Sequence, residues 1–252
     1  MGGALLAGWS KRKLAGPFAV VEPAPVKPPG ARRYAAAEAL PKSLSPAAIV
    51  FAVKPQALPA ILPAYRRFAS GGTVFLSIAA GKTLGFFARA LGEAAPVVRA
   101  MPNTPAAIGR GIAVACANTR VDAAGRALCR RLLAAVGEVE WVEEEALLDP
   151  VTAVSGSGPA YVFLLIESLA EAGVAAGLPA DLAMKLARAT VAGSGELARL
   201  AAEDAAELRR NVTSPGGTTE AALAVLMGAE GLAPLLRRAV AAATRRAREL
   251  AD

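Results

Sequence analysis

Short apolar segments alternate with helix-like segments through the first 148 residues of the chain. The apolar segments read as buried strands because they lack the period of an amphipathic helix. The predicted strands are Phe18–Glu22, Ile49–Val53, Thr73–Ile78, Val97–Ala100, Ile112–Cys116 and Val139–Val142. The predicted helices are residues 1–16, Tyr34–Leu40, Ala57–Phe68, Leu84–Leu91 and Asp122–Ala135. This alternation is typical of an α/β fold with a parallel sheet covered by helices on both faces.

After Asp149 the alternation stops and the chain reads as helix to its end. We therefore predict a sheet-containing domain over residues 1–148 and an all-helical domain over residues 149–252. The helices predicted at Ala160–Ala176 and Ala180–Leu197 are apolar around most of their circumference. Because one small helical domain cannot hide that much apolar surface, we expect a homo-oligomer built through this half.

The composition fits a folded globular protein: 54% of the 252 residues are hydrophobic. Glu167 and Glu171 interrupt the most apolar helix, which disfavours a membrane span. No signal peptide is recognised, so we expect a cytoplasmic protein. The net charge of +7 comes largely from arginines near the C-terminus, without a nucleic-acid motif. It predicts a solvated helix face and no nucleic-acid partner.

The chain contains no histidine, which removes the usual general base and the commonest zinc ligand. Cys116 and Cys129 have neither metal-binding nor redox spacing and read as buried thiols. We therefore predict no metal site and a chemistry that runs without imidazole.

The start of the chain resembles the second half of a dinucleotide-binding motif. Such a motif runs from a buried strand through Gly-x-Gly-x-x-Gly into a helix, and an acid about 20 residues further on contacts the adenosine ribose. Gly2 takes the place of the third glycine and Glu22 that of the acid. We expect the first strand and Gly-x-Gly in a segment of roughly ten residues before Met1.

Three loops follow predicted strands at the edge of the sheet where α/β proteins bind ligands. They are Lys54–Pro55, Ile78–Gly81 and Met101–Pro105, in which Asn103 and Thr104 are expected to project. Lys54 fits a solvated loop equally well. The acidic run Glu143–Glu145 reads as a solvated turn, or as a carboxylate that stabilises a cationic substrate nitrogen.

The loop and helix over Asn211–Leu226 are the strongest candidate site in the helical half. Thr213, Ser214 and Pro215 form caps and turns, and two glycines precede a helix predicted at Thr218–Leu226. A helix entered this way presents unpaired N–H groups that suit a small carboxylate or phosphate. The alternative is an ordinary capped helix after a tight turn.

With these stretches and Ser155–Tyr161 placed, the sequence closely resembles the pyrroline-5-carboxylate reductases. Val-Thr-Ser-Pro-Gly-Gly-Thr-Thr, from Val212 onward, is the most specific part of the match. The resemblance implies a Rossmann-like parallel sheet domain, here without its first strand, followed by an all-helical dimerisation domain. It also implies reduction of 1-pyrroline-5-carboxylate to L-proline with NADPH or NADH, the last step of proline biosynthesis, by a dimer or an assembly of dimers.

The resemblance also assigns site residues to this chain. The positions implied to contact the cofactor are Gly2, Glu22, Ala52, Val53, Lys54, Pro55, Ile78, Ala79, Ala80 and Asn211. The positions implied to line the substrate are Glu145, Ser214, Gly217, Thr218 and Thr219. Thr219 is the predicted catalytic residue, with its hydroxyl at the ring nitrogen. No histidine is required, since a protonated imine is already electrophilic and needs positioning more than acid–base catalysis.

The chain departs from the family near Ala39, where a cofactor-binding asparagine is often found and none is present. The acid at position 22 favours NADH because it repels a 2′-phosphate. Lys27, Arg32 and Arg33 are near enough in sequence to compensate, so both coenzymes stay open.

Two rival functions are compatible with the pattern. A β-hydroxyacid dehydrogenase also joins a Rossmann domain to a helical one, but usually relies on a lysine in the first long helix, and Ala160–Ala176 has none. The second rival is a non-catalytic dimeric binding protein that has lost its nucleotide site.

Overall fold

The computed structural model describes residues 1–14, 16 and 18–250. It divides into two compact units, Met1–Ser157 with Ala243–Asp252 and Gly158–Ala242. The boundary predicted between residues 148 and 149 precedes this division, and the end of the chain clusters with the first unit. As a statement about domains, the division into 1–148 and 149–252 remains a prediction.

The first unit is built from seven strands and five helices within its described residues. The strands are β1 (Phe18–Val21), β2 (Ala31–Tyr34), β3 (Ala48–Phe51), β4 (Val74–Ser77), β5 (Val97–Pro102), β6 (Gly111–Ala117) and β7 (Gly137–Trp141). The helices are α1 (Gly2–Lys11), α2 (Leu58–Ile61), α3 (Leu84–Leu91), α4 (Ala123–Ala134) and α5 (Leu148–Val151). Between them lie 3₁₀ turns at Ala37–Ala39, Pro55–Ala57, Leu62–Phe68, Thr104–Ile108 and Glu145–Leu147, and a π-helical turn at Thr152–Gly156.

The main sheet has five strands in the order β3-β4-β5-β6-β7. All neighbours are parallel except β5 and β6, whereas the sequence pattern predicts parallel strands. The reason is the link between β5 and β6, which contains only the 3₁₀ turn Thr104–Ile108. A parallel pair needs a crossover of a dozen or more residues, so this short link returns the chain antiparallel.

Helices cover both faces of this sheet, as the apolar strands predict. One core layer joins α1 and α4 to the sheet through residues such as Leu5, Leu76 and Leu133, each fully buried. The other joins α2 and α3 through residues such as Phe75 and Phe87, also fully buried. Because strand side chains alternate between these two layers, the sheet is covered on both faces. The parallel direction of β3, β4 and β5 places their carboxyl ends at one edge of it.

The strands β1 and β2 form a separate parallel pair. Phe18 and Val20 pack against the same core layer as Val50 of β3, and Val21 packs against the same layer as Ile49. The two sheets therefore share both hydrophobic layers. Among the described residues, no strand pairs with the second edge of β1 or of β3.

Two predicted helices differ from the structure. The prediction over Tyr34–Leu40 is wrong: Tyr34 ends β2, which pairs with β1, and only the 3₁₀ turn Ala37–Ala39 follows. Pairing of Tyr34 with Val21 takes the first residue of the predicted helix into a strand, and the few residues left before Pro41 form only a short turn. The helix predicted over 1–16 covers Gly2–Lys11, and Ala15 of that prediction lies outside the described residues.

The second unit is helical throughout its described residues. Its helices are α6 (Gly158–Ala175), α7 (Ala180–Leu200), α8 (Ala205–Asn211) and α9 (Thr218–Leu226), and α10 (Leu232–Glu249) begins in it. α6 and α7 pack closely, because a Cβ at Gly173 would lie 3.2 Å from Ala183 Cβ. Most large apolar side chains of α6 are nevertheless exposed, including Phe163 at 58% and Leu164 at 60%.

The helical stretch Glu145–Ala175 is long and apolar enough to cross a membrane, judged by length and composition alone. Its most apolar window has a mean hydropathy of 1.3 and is 11% buried inside the chain. Glu167 and Glu171 lie on this helix. One such helix is weak evidence for a membrane span, because a helix that packs against a second protein surface has the same composition.

Candidate functional site

The start of α1 lies against the end of β3. A Cβ built on Gly2 would lie 2.9 Å from Ala52 Cβ, so a side chain at position 2 has no room. No side chain caps this helix end within the described residues. The structure therefore brings Gly2 and Ala52 together and leaves the first backbone N–H groups of α1 beside the strand end, which suits an anionic group.

The carboxyl ends of β3 and β4 are joined directly. Ile78 N donates to Phe51 O at 3.1 Å, and Ala79 N donates to Ser77 Oγ at 3.2 Å. After β3, Ala52, Val53 and Lys54 are exposed and Pro55 is half-buried; after β4, Ile78 is half-buried, Ala79 buried and Ala80 exposed. The predicted cofactor residues of these two segments thus meet at one edge of the sheet, where the small side chains of Ala52, Ala79 and Ala80 allow close approach.

Glu22 follows β1 and folds back onto its own loop. Its Oε1 accepts a hydrogen bond from Ala24 N at 3.0 Å. Arg33 of β2 donates from Nε to Glu22 O and from Nη2 to Pro23 O, both at 2.8 Å. The predicted ribose acid therefore lies at the carboxyl end of β1 with a guanidinium fixed beside it.

Glu145 occupies a structural position in the first unit. Its Oε1 accepts hydrogen bonds from Leu84 N at 2.6 Å and from Arg99 Nη1. Arg99 is 7% exposed on β5. The carboxylate therefore holds the first turn of α3 to the sheet. The substrate-lining role of Glu145 stays a prediction, and the carboxylate that makes these two hydrogen bonds would also have to contact the substrate.

The sequence interpretation did not identify Arg99. A single charged residue inside the apolar strand that runs from Val97 to Ala100 was the available signal. A buried arginine needs an anionic partner. Glu145 supplies it from 46 positions further along the chain.

The loop Met101–Pro105 differs from the prediction for Asn103. Asn103 Oδ1 accepts a hydrogen bond from Ile112 N at 3.0 Å. The side chain therefore stabilises the start of β6 and does not project. Thr104 is exposed. Nearby, a Cβ at Gly156 would lie 2.5 Å from Met101 Cε, so the π-helical turn packs directly on this loop. Ser155 Oγ in that turn is buried without a hydrogen-bond partner among the described residues.

The predicted helix Thr218–Leu226 is present as α9 with the bounds expected. Gly217 N donates to Ser214 O at 3.0 Å, which closes a tight turn. Pro215 occupies its second position and Gly216 its third, with the positive φ of +68° that a type II turn requires there. A Cβ on Gly217 would lie 3.0 Å from Ser214 O. The positive φ favours glycine at position 216, and a side chain at position 217 would crowd Ser214 O.

Glu220 completes the entry to α9 and was also missed by the sequence interpretation. Its Oε2 accepts from Gly216 N at 2.7 Å, and no side chain caps the helix at Gly217. An acid at the third position of a helix that reaches back in this way is the available signal. Thr219 is half-buried, and Thr218 and Ser214 are exposed. Asn211, exposed, ends α8 in the same stretch.

The structure thus groups the predicted residues in two places. One edge of the sheet in the first unit brings together Gly2, Ala52–Pro55 and Ile78–Ala80. Glu22 and Glu145 belong to the same unit. The remaining predicted residues, Asn211, Ser214, Gly217, Thr218 and Thr219, lie on one continuous stretch of the second unit.

The two thiols are held in the protonated form. Burial raises the pKa of Cys129 to about 12, and burial together with the nearby Glu145 carboxylate raises the pKa of Cys116. Arg126 hydrogen-bonds Glu143 and lowers the pKa of that carboxyl group. No cluster of three or more His, Cys, Asp or Glu side chains suited to a metal ion occurs within residues 1–14, 16 and 18–250.

Comparison with known proteins places this fold and these motifs in one family. Residues 145–250 match a family model described as pyrroline-5-carboxylate reductase dimerisation. A pyrroline-5-carboxylate reductase of Pseudomonas aeruginosa is 43% identical over 204 residues, which cover 81% of this chain and 74% of that protein.

Solved structures agree along the whole chain. A pyrroline-5-carboxylate reductase from Coxiella burnetii matches with a TM-score of 0.92 and 32% identity, over 100% of this chain and 95% of that chain. The Plasmodium falciparum pyrroline carboxylate reductase with NADP bound matches with a TM-score of 0.85 and 29% identity over the same shares. The predicted fold class, a Rossmann-like sheet domain followed by a helical dimerisation domain, is confirmed. The chain belongs to the pyrroline-5-carboxylate reductase family.

Proposed function

We propose that the protein reduces the C=N bond of 1-pyrroline-5-carboxylate to give L-proline, with NADPH or NADH as reductant. Family membership at 43% identity supports the reaction. The observation that carries the substrate side is the entry to α9, where the tight turn Ser214–Gly217 leads into a helix with no side-chain cap.

The first unit has a surface that fits a dinucleotide. No side chain caps the start of α1 within the described residues, so its first backbone N–H groups would be open to a diphosphate. The segment Ile78–Ala80, with small side chains at Ala79 and Ala80, would border the nicotinamide ring. The reduced nicotinamide, when bound, supplies the hydride. Every other requirement of the reaction falls on side chains and backbone groups of the chain.

The start of α9 would hold the substrate carboxylate. The first N–H groups of a helix have no partner within the helix, and its dipole favours a negative charge. Glu220 already accepts from Gly216 N. The amides of Thr218 and Thr219, together with the hydroxyls of Ser214 and Thr218, therefore remain for the ligand.

Thr219 would position the reacting bond. Its half-buried hydroxyl lies in the first turn of α9. A hydroxyl at the ring nitrogen can orient the protonated imine, whose carbon then accepts the hydride while the C=N π electrons become the lone pair of a neutral secondary amine. That amine takes up a proton from solvent afterwards. Because the imine enters protonated, the step needs orientation and charge placement and no imidazole base.

The helical unit would provide the subunit contacts. Match to a dimerisation model supports a homo-oligomer, and the exposed apolar residues of α6 supply a surface that one copy leaves uncovered. We propose a dimer, or an assembly of dimers, in the cytoplasm. The absence of membrane and nucleic-acid partners remains a prediction.

A direct assay tests the proposed function. The purified protein is mixed with 1-pyrroline-5-carboxylate and either coenzyme, and coenzyme oxidation and L-proline are both quantified. We expect one proline for each coenzyme oxidised. Absence of proline formation would contradict the proposal, and failure of the folded protein to bind either coenzyme would support the non-catalytic binding protein instead.

A further inference from the structure

An open cavity of about 460 Å³ lies between the loop after β1 and the strand β2. Its lining includes Lys27 and Arg33, and both charged residues of that lining are cations. Glu22, whose charge argues for NADH, is not part of the lining. Its carboxylate is instead hydrogen-bonded to Ala24 N of its own loop. The Glu22 carboxylate, which would repel a 2′-phosphate, therefore lies outside the positively charged cavity lining.

Arg33 is held in place before any ligand arrives. Its Nε and Nη2 donate to the carbonyl oxygens of Glu22 and Pro23 at the end of β1. Within the described residues no acceptor is recorded for Nη1. A guanidinium fixed on two carbonyls loses little entropy when its remaining N–H groups bind an anion, and its fork suits phosphate oxygens.

The loop that carries Lys27 is also restrained. Pro23, Pro25, Pro28 and Pro29 fix four of its φ angles, and Val26 N donates to Ala24 O at 2.8 Å. The loop ends at Gly30, which has a φ of +67° and whose Cβ would lie 3.2 Å from Ser10 Oγ of α1. The ammonium of Lys27 therefore extends from a defined backbone.

We propose that Lys27 and Arg33 form a phosphate site that selects NADPH over NADH. The inference rests on the proposed function, since Arg33 of the cavity lining is hydrogen-bonded to the backbone oxygen of Glu22, the residue predicted to contact the adenosine ribose. A 2′-phosphate is dianionic at neutral pH and takes up two cationic partners, whereas the ribose hydroxyl of NADH offers them no charge. The single negative charge of Glu22 leaves the local balance positive.

The test isolates the 2′-phosphate with two fragments that differ only in that group, 2′,5′-ADP and 5′-AMP. Their dissociation constants are measured by calorimetry on the purified protein. We expect 2′,5′-ADP to bind at least about tenfold more tightly, the value of one charge-assisted contact. Equal affinities, or tighter binding of 5′-AMP, would overturn the inference.

Single substitutions assign the effect to residues. The ratio of the affinity for 2′,5′-ADP to that for 5′-AMP measures the contribution of the 2′-phosphate. Lys27→Ala, at an exposed position, should lower this ratio about fivefold or more and leave 5′-AMP binding unchanged. Arg33→Lys should lower it as well, because an ammonium cannot reproduce the fork. Arg32→Ala is the matched control: Arg32 is exposed and lies over the Tyr34 ring at 5.4 Å, outside the cavity lining. An unchanged ratio in Lys27→Ala would contradict the proposal.

Two further measurements separate the possible sources of failure. Inorganic phosphate should bind far more weakly than 2′,5′-ADP, and equal binding would assign the cavity to free phosphate and overturn the inference. Turnover of the imine is assayed separately with saturating NADH and NADPH. Absence of turnover with both coenzymes, with the affinity ratio intact, contradicts the proposed reaction and supports the phosphate site.

Discussion

Arg99 on β5 and Glu145 after β7 form an ion pair that is largely removed from solvent, with side-chain exposures of 9% and 29%. The same carboxylate oxygen accepts from Leu84 N at 2.6 Å. One acceptor thereby fastens the middle of the sheet to the first turn of α3. The loop Ile78–Ala80, predicted to border the cofactor, precedes that turn.

Removing the buried cation should destabilise the fold strongly. We expect Arg99→Met to lower the free energy of unfolding by about 3 kcal/mol, because Glu145 then keeps an uncompensated charge. Glu145→Gln should cost less, since its amide oxygen can still accept from Leu84 N. Denaturant titration measures both values.

An exposed pair provides the control for this prediction. Arg246 and Glu249 are 66% and 60% exposed, so Arg246→Met should cost less than about 1 kcal/mol. If Arg99→Met and Arg246→Met lowered the free energy of unfolding by the same amount, burial of the Arg99–Glu145 pair would have no energetic consequence, which would contradict the prediction.

The contact between Gly81 and the end of the chain should be intolerant of a side chain. Gly81 has a φ of +76°, and its Cβ would lie 2.6 Å from Leu250 O. Gly72 has nearly the same φ of +74° but no atom within 4 Å of its Cβ. Gly72→Ala therefore measures the backbone strain alone, about 1 kcal/mol. Gly81→Ala should cost at least about 1 kcal/mol more in the same titration, because it adds the clash; equal costs would contradict this contact.

Cys129 should make the fold sensitive to alkaline pH. Its pKa in the folded chain is raised to about 12 by burial, whereas an unfolded cysteine ionises near pH 8.5. The unfolded chain thus loses its proton first, and the free energy of unfolding falls as pH rises from about 8.5 towards 12. Denaturation at pH 7, 9 and 10 should show a shallower decline for Cys129→Ala than for the parent. Parallel declines would contradict this assignment.

The exposed apolar face of α6 should be required for assembly. Phe163 and Leu164 are 58% and 60% exposed within one chain. We expect Phe163→Glu to shift sedimentation towards the monomer, because a carboxylate would be buried against a second copy. Arg131→Glu, a charge change on α4 of the first unit, is the control and should leave the assembly intact. A stable oligomer in Phe163→Glu would place the contact elsewhere.

Local signals in the sequence predicted the elements whose ends carry their own caps. Helix α3 has the predicted bounds Leu84–Leu91, and Thr83 Oγ1 accepts from Phe86 N at its start. Helix α9 begins at Thr218 as predicted, because the turn Ser214–Gly217 fixes its entry. Such signals involve neighbouring residues and are visible without a structure.

Long-range pairing accounts for what the sequence did not reveal. Tyr34 joins a strand because it pairs with Val21, which no local pattern indicates. The direction of β6 depends on its short link to β5. Asn103 was expected to project, but its Oδ1 accepts from Ile112 N. The pairing of Tyr34 and the hydrogen bond of Asn103 depend on residues outside their own local segment, which local propensity does not indicate. The short link between β5 and β6 was visible in the sequence and could have predicted their antiparallel pairing.

The glycine-entered tip of α9 is the proposed binding site of the imine substrate, and the rest of the proposed mechanism depends on it. The kinetics of Thr219→Ala test it most directly, with Thr119→Ala, at an exposed turn after β6, as the control. We predict that Thr219→Ala lowers kcat/KM for 1-pyrroline-5-carboxylate by roughly 10- to 100-fold, the value of one or two charge-assisted hydrogen bonds, with the fold intact. An unchanged kcat/KM in Thr219→Ala would contradict the claim.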